Sequence, residues 1–371
     1  MNNVLTDSKQ TSEVPNEKYW WIKGELCSRL PNLNARNKIQ NITRQFFTKK
    51  GFIEVETPAL QVSPGSEPHL TPFTTNLHDP FDKEKKRKLY LHTSPEFAMK
   101  MLLVGGMNNI FQLARVWRNG ERSAIHHPEF TMLEWYQTGA SWRDVAKTCE
   151  NLVKEVAIQK FKNTKQKPPL FSWKNSKCNP MQDWQYLSVD CAFKKFCRID
   201  LLSTTSNPLE PNVMALSKEA EKIGIRVHSN DRWEEIFFRI FLDRIEPNLG
   251  IGVPTVLYDW PISMASLARQ NPKDDRLAER FEIYICAMEI ANGFGELTDP
   301  VEHRRRFKND MALKDKLYGQ TYPVDEDFIK ALTFGMPNSS GIALGFDRLV
   351  MLCTGAQKIE DVLWAPLVNI L

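Results

Sequence analysis

Residues 118–136 contain the side chains whose types and spacing point most directly to chemistry. The stretch begins with Arg118, crosses a polar loop and continues as an alternating apolar run that contains Phe130 and ends at Tyr136. If its two ends form adjacent strands, a cationic fork and an aromatic face lie side by side. A guanidinium binds a phosphate through two parallel hydrogen bonds, and an aromatic ring covers a base. The stretch therefore predicts a nucleotide-binding hairpin and a protein that activates something with ATP.

Small residues near the C-terminus could expose backbone to the same ligand. Gly341, Ala343 and Gly345 alternate along one predicted strand, which frees one of its faces from bulky side chains. Arg348 follows at the start of a helix, where it could meet a phosphate or stack on a base. A buried strand whose glycines only allow close packing explains the same pattern equally well, and both interpretations stay open.

Two carboxylates, Glu289 and Glu296, follow an apolar strand. Positions seven apart point to opposite faces of a regular strand, but Asn292, Gly293 and Gly295 offer a turn or bulge that could direct both into one pocket. Paired carboxylates beside a nucleotide suit Mg²⁺, which completes its coordination with phosphates and water. One of them could instead neutralise a substrate ammonium. Considered alone, the pair is better explained as a solvated hairpin end.

Two other groups invite a functional interpretation. Ser94, Pro95 and Glu96 place a hydroxyl and a carboxylate where a strand gives way to a helix, although a helix N-cap with an acidic first turn usually explains such a sequence. His126 and His127 suggest a metal site, but adjacent residues on a strand point to opposite faces. No cysteine or third histidine is near them in the sequence, so a loop or phosphate contact is favoured.

Hydrophobic periodicity predicts the elements that must position these residues. Strands are expected at residues 52–58, 89–93, 116–117, 130–136, 255–259, 281–288 and 340–345. Helices are expected at residues 33–50, 142–156 and 346–352, from Pro95 onward, and within 185–245. Because these strands often adjoin in hairpins, they favour an α+β fold, an antiparallel sheet flanked by helices. The lysine-rich and proline-rich residues 159–180 are interpreted as a surface insertion.

Composition excludes several classes of protein. The 371 residues, 42% hydrophobic and 25% charged, are ordinary for a globular chain. No apolar run is long enough to span a membrane, and residues 1–18 lack the apolar segment of a secretory signal. The seven cysteines are scattered, which favours reduced thiols in a cytosolic protein over a zinc site. A net charge of +4 is far below that of a dedicated nucleic-acid binder.

Taken in order, three blocks of the chain resemble a known family. Residues 51–58, the hairpin at 118–134 and residues 341–348 match the three signature motifs of class II aminoacyl-tRNA synthetases. Each motif is weak alone, but jointly they are highly specific. Three shorter segments narrow the resemblance to the lysyl branch: residues 93–96, 127–134 and 292–297.

The resemblance implies a domain organisation. A class II synthetase-like catalytic domain is expected at residues 31–371, behind a polar leader at residues 1–30. Lysyl-tRNA synthetases carry an anticodon-binding OB domain before their catalytic half, and roughly 30 residues are too few for its five strands. The chain is therefore expected to resemble the stand-alone family of elongation factor P–(R)-β-lysine ligases. Ala343 is similar to that family, whereas the tRNA-charging relatives usually have glycine there.

The resemblance also implies roles in ATP binding. Arg118 would hold the α-phosphate and the substrate carboxylate as they react, while Phe130 and Arg348 would sandwich the adenine. Glu289 would bind Mg²⁺, with Glu296 as a second carboxylate for the metal. Arg118, Glu289 and Arg348 would thus be the catalytic residues. The other residues expected at ATP are Asn119, Gly120, Glu121, His127, Ile290 and Gly345.

At the substrate end, the resemblance implies that Glu296 and Tyr136 receive the side-chain ammonium of a lysine-like substrate. Ser94 and Glu96 would orient its other amine, and the substrate pocket would also include Pro95 and Ala343. Pro58 and its strand would lie at the interface of a homodimer.

Two positions depart from the family pattern. Gly120 stands where the family has a glutamate that reads the adenine amino group, and His127 stands where it has asparagine. Adenine recognition is therefore expected to use Glu121 after a small loop shift, or the backbone.

The implied reaction uses ATP and Mg²⁺ to activate (R)-β-lysine or lysine and transfers it to a lysine side chain of elongation factor P. A minimal lysyl-tRNA synthetase-like enzyme with another acceptor is one alternative. A non-catalytic regulator that keeps the synthetase fold is another, although such a protein would be expected to lose Arg118, Glu289, Glu296 or Arg348, and all four are present.

Overall fold

The computed structural model describes residues 19–65, 67–82, 84–162, 169–265 and 267–367. The helices in these segments are α1 (Lys23–Lys49), α2 (Glu96–Val104), α3 (Trp142–Phe161), α4 (Val189–Cys197), α5 (Val213–Lys222), α6 (Trp233–Ile240), α7 (Pro300–Tyr318), α8 (Glu326–Gly335) and α9 (Phe346–Thr354). The strands are β1 (Ile53–Glu54), β2 (Leu60–Gln61), β3 (Thr74–His78), β4 (Lys86–Leu91), β5 (Asn109–Trp117), β6 (Glu129–Thr138), β7 (Phe171–Trp173), β8 (Ser176–Cys178), β9 (Gln185–Ser188), β10 (Thr255–Pro261), β11 (Leu277–Ile285), β12 (Met288–Gly295) and β13 (Ser339–Gly345).

The main sheet has eight strands in the order β1-β5-β6-β13-β12-β11-β10-β9. Its interior pairs are antiparallel, and the outermost pairs, β1 with β5 and β10 with β9, are parallel. Helices α1, α3 and α9 pack against it. The predicted α+β fold, an antiparallel sheet flanked by helices, is confirmed. The predicted hairpin is β5 with β6, and the predicted passage from strand to helix is β13 into α9.

Alternation along β6 separates a covered face of the sheet from a face that carries polar groups. Leu133 and Trp135 point into the main hydrophobic core, beneath α1, α3 and α9. Met132, Glu134 and Tyr136 alternate with them and therefore point to the other face. A second core, centred on Trp233 and Phe237 of α6, supports the far end of the sheet. The polar face of the central strands is the place to look for a site.

Helix α1 is longer than the sequence indicates. Ile39 and Phe47 are fully buried at helical spacing, as expected, but the helix begins at Lys23. Arg29 donates hydrogen bonds of 3.1 and 2.9 Å to two carbonyl groups close to the C-terminal end of the described chain. The boundary expected at residue 30 therefore falls inside a helix that packs on the catalytic part. Residues 1–18 lie outside the described residues.

The segment expected to be a surface insertion, residues 159–180, contributes to the core. Phe171 and Trp173 on β7 and Cys178 on β8 are buried in the main core, and β7 packs against α9. The described part of the segment is therefore not only a surface insertion, as was predicted. The prediction followed the many lysines and prolines of the segment and overlooked these apolar positions. Residues 163–168 of the segment lie outside the described residues.

Strand β1 is shorter than the predicted residues 52–58. It lies at the edge of the sheet and pairs with β5 alone, so few backbone groups fix its length.

All seven cysteines are free thiols. Among the described residues, no helix combines the length and the apolar character needed to cross a membrane.

Candidate active site

A cavity of about 470 Å³ opens on the polar face of the central strands. Strands β6, β11, β12 and β13 form its floor, and residues 61–65 and 67–70, the end of α6 and the start of α9 form its walls. The predicted site residues that line it are Ser94, Glu96, Arg118, Glu121, His127, Phe130, Glu289, Ile290, Ala343, Gly345 and Arg348. The predicted residues that are not on its wall are Pro95, Asn119, Gly120, Tyr136 and Glu296.

Arg118 occupies one side of the cavity, directly after β5. Its guanidinium carbon lies 5.3 Å from the ring centre of Phe130 on the neighbouring strand, so the cation and the aromatic face are adjacent. Its Nε donates to the carbonyl oxygen of Thr93 at 3.4 Å, and the Glu121 carboxylate lies 3.8 Å away. Burial lowers the pKa of Arg118, but a guanidinium keeps its charge in proteins. This geometry can hold a phosphate beside a base.

Arg348 is fixed in place by three hydrogen bonds, of which the longest runs from its Nε to the carbonyl oxygen of Ile125 at 3.4 Å. Its Nη1 donates to the carbonyl oxygen of Glu289 at 2.7 Å, and its Nη2 lies 2.8 Å from Nε2 of His126. Burial and the positive charge of Arg348 lower the pKa of His126 to about 4. The imidazole is therefore neutral and accepts the hydrogen bond. Of the two adjacent histidines, His126 thus positions a cationic wall of the cavity.

Asp347 ties this wall to the rest of the fold. It accepts a hydrogen bond from the backbone N–H of Thr131 at 2.7 Å and forms a buried ion pair with Arg36 of α1. Arg36 also donates to the Thr131 hydroxyl at 2.8 Å. The start of α9, where Arg348 lies, is thereby anchored to both α1 and β6.

Glu289 has a second carboxylate, Glu282 of β11, as its neighbour in the cavity. Glu282 accepts hydrogen bonds from Arg280 at 2.7 Å and from the hydroxyl of Tyr284 at 2.5 Å. Burial and the negative charge of Glu289 raise the pKa of Glu282. A divalent cation would relieve this repulsion, and two carboxylates suit Mg²⁺, which needs few protein oxygens. Within the described residues, no cluster of three or more acidic, histidine or cysteine side chains forms a complete metal site.

Glu296 lies away from Glu289. Strand β12 continues through Asn292 and Gly293, and the irregularity in its pairing with β11 lies earlier, at Ile290. Because the strand continues through Asn292 and Gly293, there is no turn at these residues, and the bulge lies at Ile290 instead. Glu296 is buried, and its carboxylate lies 2.6 Å from the ammonium of Lys100. The structure therefore does not bring the two predicted metal carboxylates together, and Glu282 occupies the position beside Glu289.

Ser94 and Tyr136 converge on a carboxylate that the sequence analysis did not select. The hydroxyl of Ser94 donates to Glu134 at 2.8 Å, and the hydroxyl of Tyr136 donates to its other oxygen at 2.5 Å. Ser94 also accepts the backbone N–H of Glu96 at 3.1 Å, but the N-cap of α2 is Pro95, which makes no side-chain capping bond, so Ser94 lies one residue before the cap position. Its contact with a substrate amine stays a prediction. Burial, followed by the charge of Glu96, raises the pKa of Glu134 to about 8.

Three carboxylates surround the same end of the cavity, and we call Glu96, Glu134 and Glu296 the acidic cluster. Lys100 of α2 lies among them, with its ammonium 2.5 Å from Glu96 and 2.6 Å from Glu296. Glu96 lines the cavity, whereas Glu134 and Glu296 are buried behind the wall. An acidic environment of this kind attracts ammonium groups of a ligand.

The small size of the alternating residues on β13 has a different explanation at each position. A Cβ at Gly341 would overlap the ring of Tyr136 and approach Glu296, so glycine is required there for close packing. Ala343 and Gly345 line the cavity and leave room for a ligand. Ala343 lies opposite Glu134 on β6 and Asn292 on β12. Close packing therefore explains Gly341, whereas a ligand contact at Ala343 and Gly345 stays a prediction.

Comparisons with known proteins agree with this geometry. Residues 18–369 match the family model of tRNA synthetases class II (D, K and N). The chain belongs to this class II family. It is also 37% identical over 342 residues to an elongation factor P–(R)-β-lysine ligase of Haemophilus ducreyi, covering 92% of the chain and 95% of the relative. Ligases of the same name from Haemophilus influenzae and Proteus mirabilis are each 36% identical, over 93% and 91% of the chain and 96% and 95% of the relatives.

The backbone conformation explains why this class II chain has glycine at position 120, where the family has glutamate. Gly120 has a φ of 82°, a left-handed conformation that a glutamate adopts only with strain. The backbone N–H of Asn119 donates to the carbonyl oxygen of Thr71 at 2.7 Å, which fixes the loop before the glycine. Glu121 then faces the cavity, 3.8 Å from Arg118. A glutamate is thus present at the cavity one position later, as the loop-shift hypothesis requires.

The second departure, His127, has a structural role. Its Nε2 accepts the backbone N–H of Leu367 at 3.1 Å, and its Nδ1 contacts the backbone of Glu129. The ring is buried and connects the C-terminal segment to the hairpin. Its edge also lines the cavity, so a nucleotide contact stays a prediction.

Sequence analysis missed four residues of this site. Glu134 shares one face of β6 with Tyr136, and Glu282 alternates with Arg280 and Tyr284 on β11, so period-two alternation could have identified both. For His126 a loop or phosphate contact was favoured over a metal site, but its hydrogen bond with Arg348 was not foreseen. Lys100 is four residues after Glu96 on a helix, a spacing typical of surface pairs, and nothing in the sequence distinguishes its burial.

Proposed function

We propose that this protein is an ATP-dependent ligase that activates (R)-β-lysine, or lysine, as an adenylate and transfers it to a lysine side chain of elongation factor P. The observation that carries the proposal is a single cavity with a cationic, aromatic end and an acidic end. The first end suits ATP and the second suits a substrate with amino groups. The names of the class II relatives support the choice of substrate and acceptor.

The cationic end would direct the first reaction. The carboxylate oxygen of the substrate attacks the α-phosphorus of ATP, the bond to the bridging oxygen breaks, and pyrophosphate leaves. Arg118 is placed to bind the α-phosphate and the attacking carboxylate together, which brings two anions into contact. Phe130 and Arg348 would hold the adenine between a ring and a guanidinium. The fixed position of these groups stabilises the charge of the transition state without a covalent enzyme intermediate.

Glu289 and Glu282 would hold Mg²⁺, because both are carboxylates at the same wall of the cavity. When bound, the ion neutralises negative charge on the phosphates that leave. Arg348 would keep Glu289 in position through the carbonyl hydrogen bond at 2.7 Å.

The acidic cluster would recognise the amino groups of the substrate. Glu96 lines the cavity and can receive an ammonium directly. Glu134 is held behind the wall by Ser94 and Tyr136, so its carboxylate can strengthen the field at the same point. Ala343 sets the depth of the floor between these residues. Glu296 acts through Lys100, which lies between it and Glu96.

The second reaction needs little from the protein beyond position. The deprotonated amine of the acceptor lysine attacks the carbonyl carbon of the adenylate, the bond to the phosphate oxygen breaks, and AMP leaves. The amine loses a proton to solvent as the amide forms. Arg118 would continue to hold the phosphate as it becomes a leaving group.

We infer that two copies of the chain associate through the region around β1. Ile53 and Leu60 are large apolar side chains with more than a third of their surface exposed, at 56% and 45%. They flank Pro58, which is also exposed, next to the edge strand of the main sheet. Covering such apolar side chains is a common reason for a dimer. Sedimentation analysis of the purified chain tests this expectation directly.

Two assays test the reaction. Exchange of labelled pyrophosphate into ATP should depend on β-lysine or lysine, and label from the amino acid should then move to purified elongation factor P. Absence of ATP-dependent labelling of elongation factor P would contradict the proposed acceptor. Charging of tRNA at a comparable rate would support the synthetase-like alternative, and absence of exchange with every lysine isomer would support the non-catalytic one.

A further inference from the structure

Lys100 is a buried cation at the substrate end of the cavity, and neither chemical step of the proposed reaction uses it directly. Its side chain has no exposed surface, and its ammonium contacts Glu96 at 2.5 Å and Glu296 at 2.6 Å. Burial opposes the charged form, but the attraction of Glu296 and Glu96 exceeds this effect and raises the pKa of Lys100 above its ordinary value. Lys100 therefore remains charged at every pH at which the protein would work.

The charges around Lys100 can be counted. The acidic cluster has three carboxylates, and Lys100 supplies one positive charge. His303 of α7 also faces Lys100, but burial and the charge of Lys100 lower its pKa to about 3, so it is neutral. Arg269 lies close to Glu296 and is already bound by Glu279 at 2.5 Å. The hydroxyl of Tyr136 is an uncharged donor. With its carboxylates ionised, the cluster carries two negative charges in excess.

We propose that Lys100 is a positioning residue that matches the acidic cluster to substrates with two ammonium groups. It neutralises one carboxylate and leaves the other two free to ionise as a diamino acid binds. An amino acid with one ammonium would leave a buried carboxylate without a counter-charge, which is costly. This inference rests on the proposed function, because it concerns the amino acid that the ligase activates.

Lys100 also controls how readily the other carboxylates lose their protons. Burial raises the pKa of Glu134 to about 8, and the positive charge of Lys100 opposes that rise. Without Lys100, nearby carboxylates hold a proton more tightly, since a favourable charge is lost. A substrate ammonium could then bind to such a carboxylate only after the carboxyl group has lost its proton, and with a higher pKa this happens at a higher pH. Substrate affinity would reach its limit at a higher pH.

The test compares KM for lysine or β-lysine in ATP–pyrophosphate exchange, from about pH 6 to about pH 9, in four proteins. For Lys100→Met, which keeps a side chain of similar length, KM near neutral pH should rise at least about tenfold, equivalent to one pKa unit. The difference should shrink as pH rises, while kcat changes less. For Glu296→Gln, which leaves Lys100 paired with Glu96, KM should reach its limit at a lower pH than in the wild type.

The double variant Lys100→Met/Glu296→Gln removes one charge of each sign and serves as the charge-matched control. Its pH profile should return toward that of the wild type, which a purely structural role of the ion pair does not explain. If the variants lose activity in parallel without opposite shifts, the role assigned to Lys100 is wrong. If Lys100→Met fails to fold, the pH dependence of KM in Glu296→Gln and in the double variant still tests the role of Lys100. A wild type without exchange on any lysine isomer contradicts the proposed function instead.

Discussion

Replacement of Glu134 by glutamine should make the protein more stable and less active. Glutamine has nearly the same volume, and its amide can accept from Tyr136 and donate to Ser94, which preserves contacts now at 2.5 and 2.8 Å. What changes is the charge. Burial, with the charge of Glu96, raises the pKa of Glu134 from 4.5 to about 8, so the folded state holds a proton that the unfolded chain releases.

The sign of the effect on stability follows from proton binding. Between about pH 4.5 and about pH 8 the folded state binds more protons at Glu134 than the unfolded state, so the free energy of unfolding falls as pH rises. At about 1.4 kcal/mol for each pH unit between 4.5 and 7, the loss near pH 7 is at most about 3.5 kcal/mol. Glutamine does not titrate and removes this loss. The variant should therefore gain stability over the wild type as pH increases.

The effect on activity has the opposite sign. Because Glu134 lies behind the wall, its carboxylate would act on the substrate ammonium as a nearby charge, and such an attraction is about 1–4 kcal/mol at short range. Loss of the carboxylate should therefore reduce kcat/KM for lysine or β-lysine by roughly 10- to 100-fold. The wild-type KM should fall as pH rises through about 8, because Glu134 must ionise to favour the substrate ammonium. In the glutamine variant this dependence should disappear.

Thermal denaturation at about pH 5 and about pH 8, together with exchange kinetics, tests both effects. Glu150 of α3 offers a matched control, because it is buried away from the cavity and its lysine partners lower its pKa. Glu150→Gln should lose stability and keep the wild-type KM profile. A Glu134→Gln protein that is less stable than the wild type near pH 8, with an unchanged KM profile, would refute the reasoning.

Four other results are expected. Arg118→Lys should lower kcat in the exchange assay by about 10²–10³, because an ammonium cannot replace a bidentate guanidinium. Asp347→Asn should lower the free energy of unfolding in urea by about 3–5 kcal/mol, because the buried Arg36 loses its partner. Gly341→Ala should cost about 1–3 kcal/mol in thermal denaturation and raise KM for the amino acid, because the methyl group overlaps Tyr136. Removal of Mg²⁺ by a chelator should abolish exchange, and its return should restore it.

Specific outcomes would contradict each of these expectations. They are a fully active Arg118→Lys protein, an Asp347→Asn protein with wild-type stability, a Gly341→Ala protein with an unchanged KM, and exchange that persists after chelation. Glu150→Gln serves again as a control for the kinetic assays, since it lies outside the cavity.

Local sequence patterns were enough to predict most elements and the end of the cavity that carries Arg118 and Phe130. Period-two alternation gave the hairpin of β5 and β6, and Arg118 and Phe130 lie where a short hairpin must bring them, because their separation in the chain is small. The order of the three motifs also gave the fold class and the family. Local spacing was enough in these cases because the interacting groups are close in sequence.

Which carboxylates lie together depends on contacts that form only in the folded chain. Glu289 has Glu282 rather than Glu296 as its neighbour because an irregularity at Ile290 sets the register of β11 and β12. Lys100 meets Glu296 although almost two hundred residues separate them in the chain. Register and packing depend on contacts along the whole sheet, which no local pattern encodes. The acidic end of the cavity, with its balance of charges, is therefore a property of the folded chain.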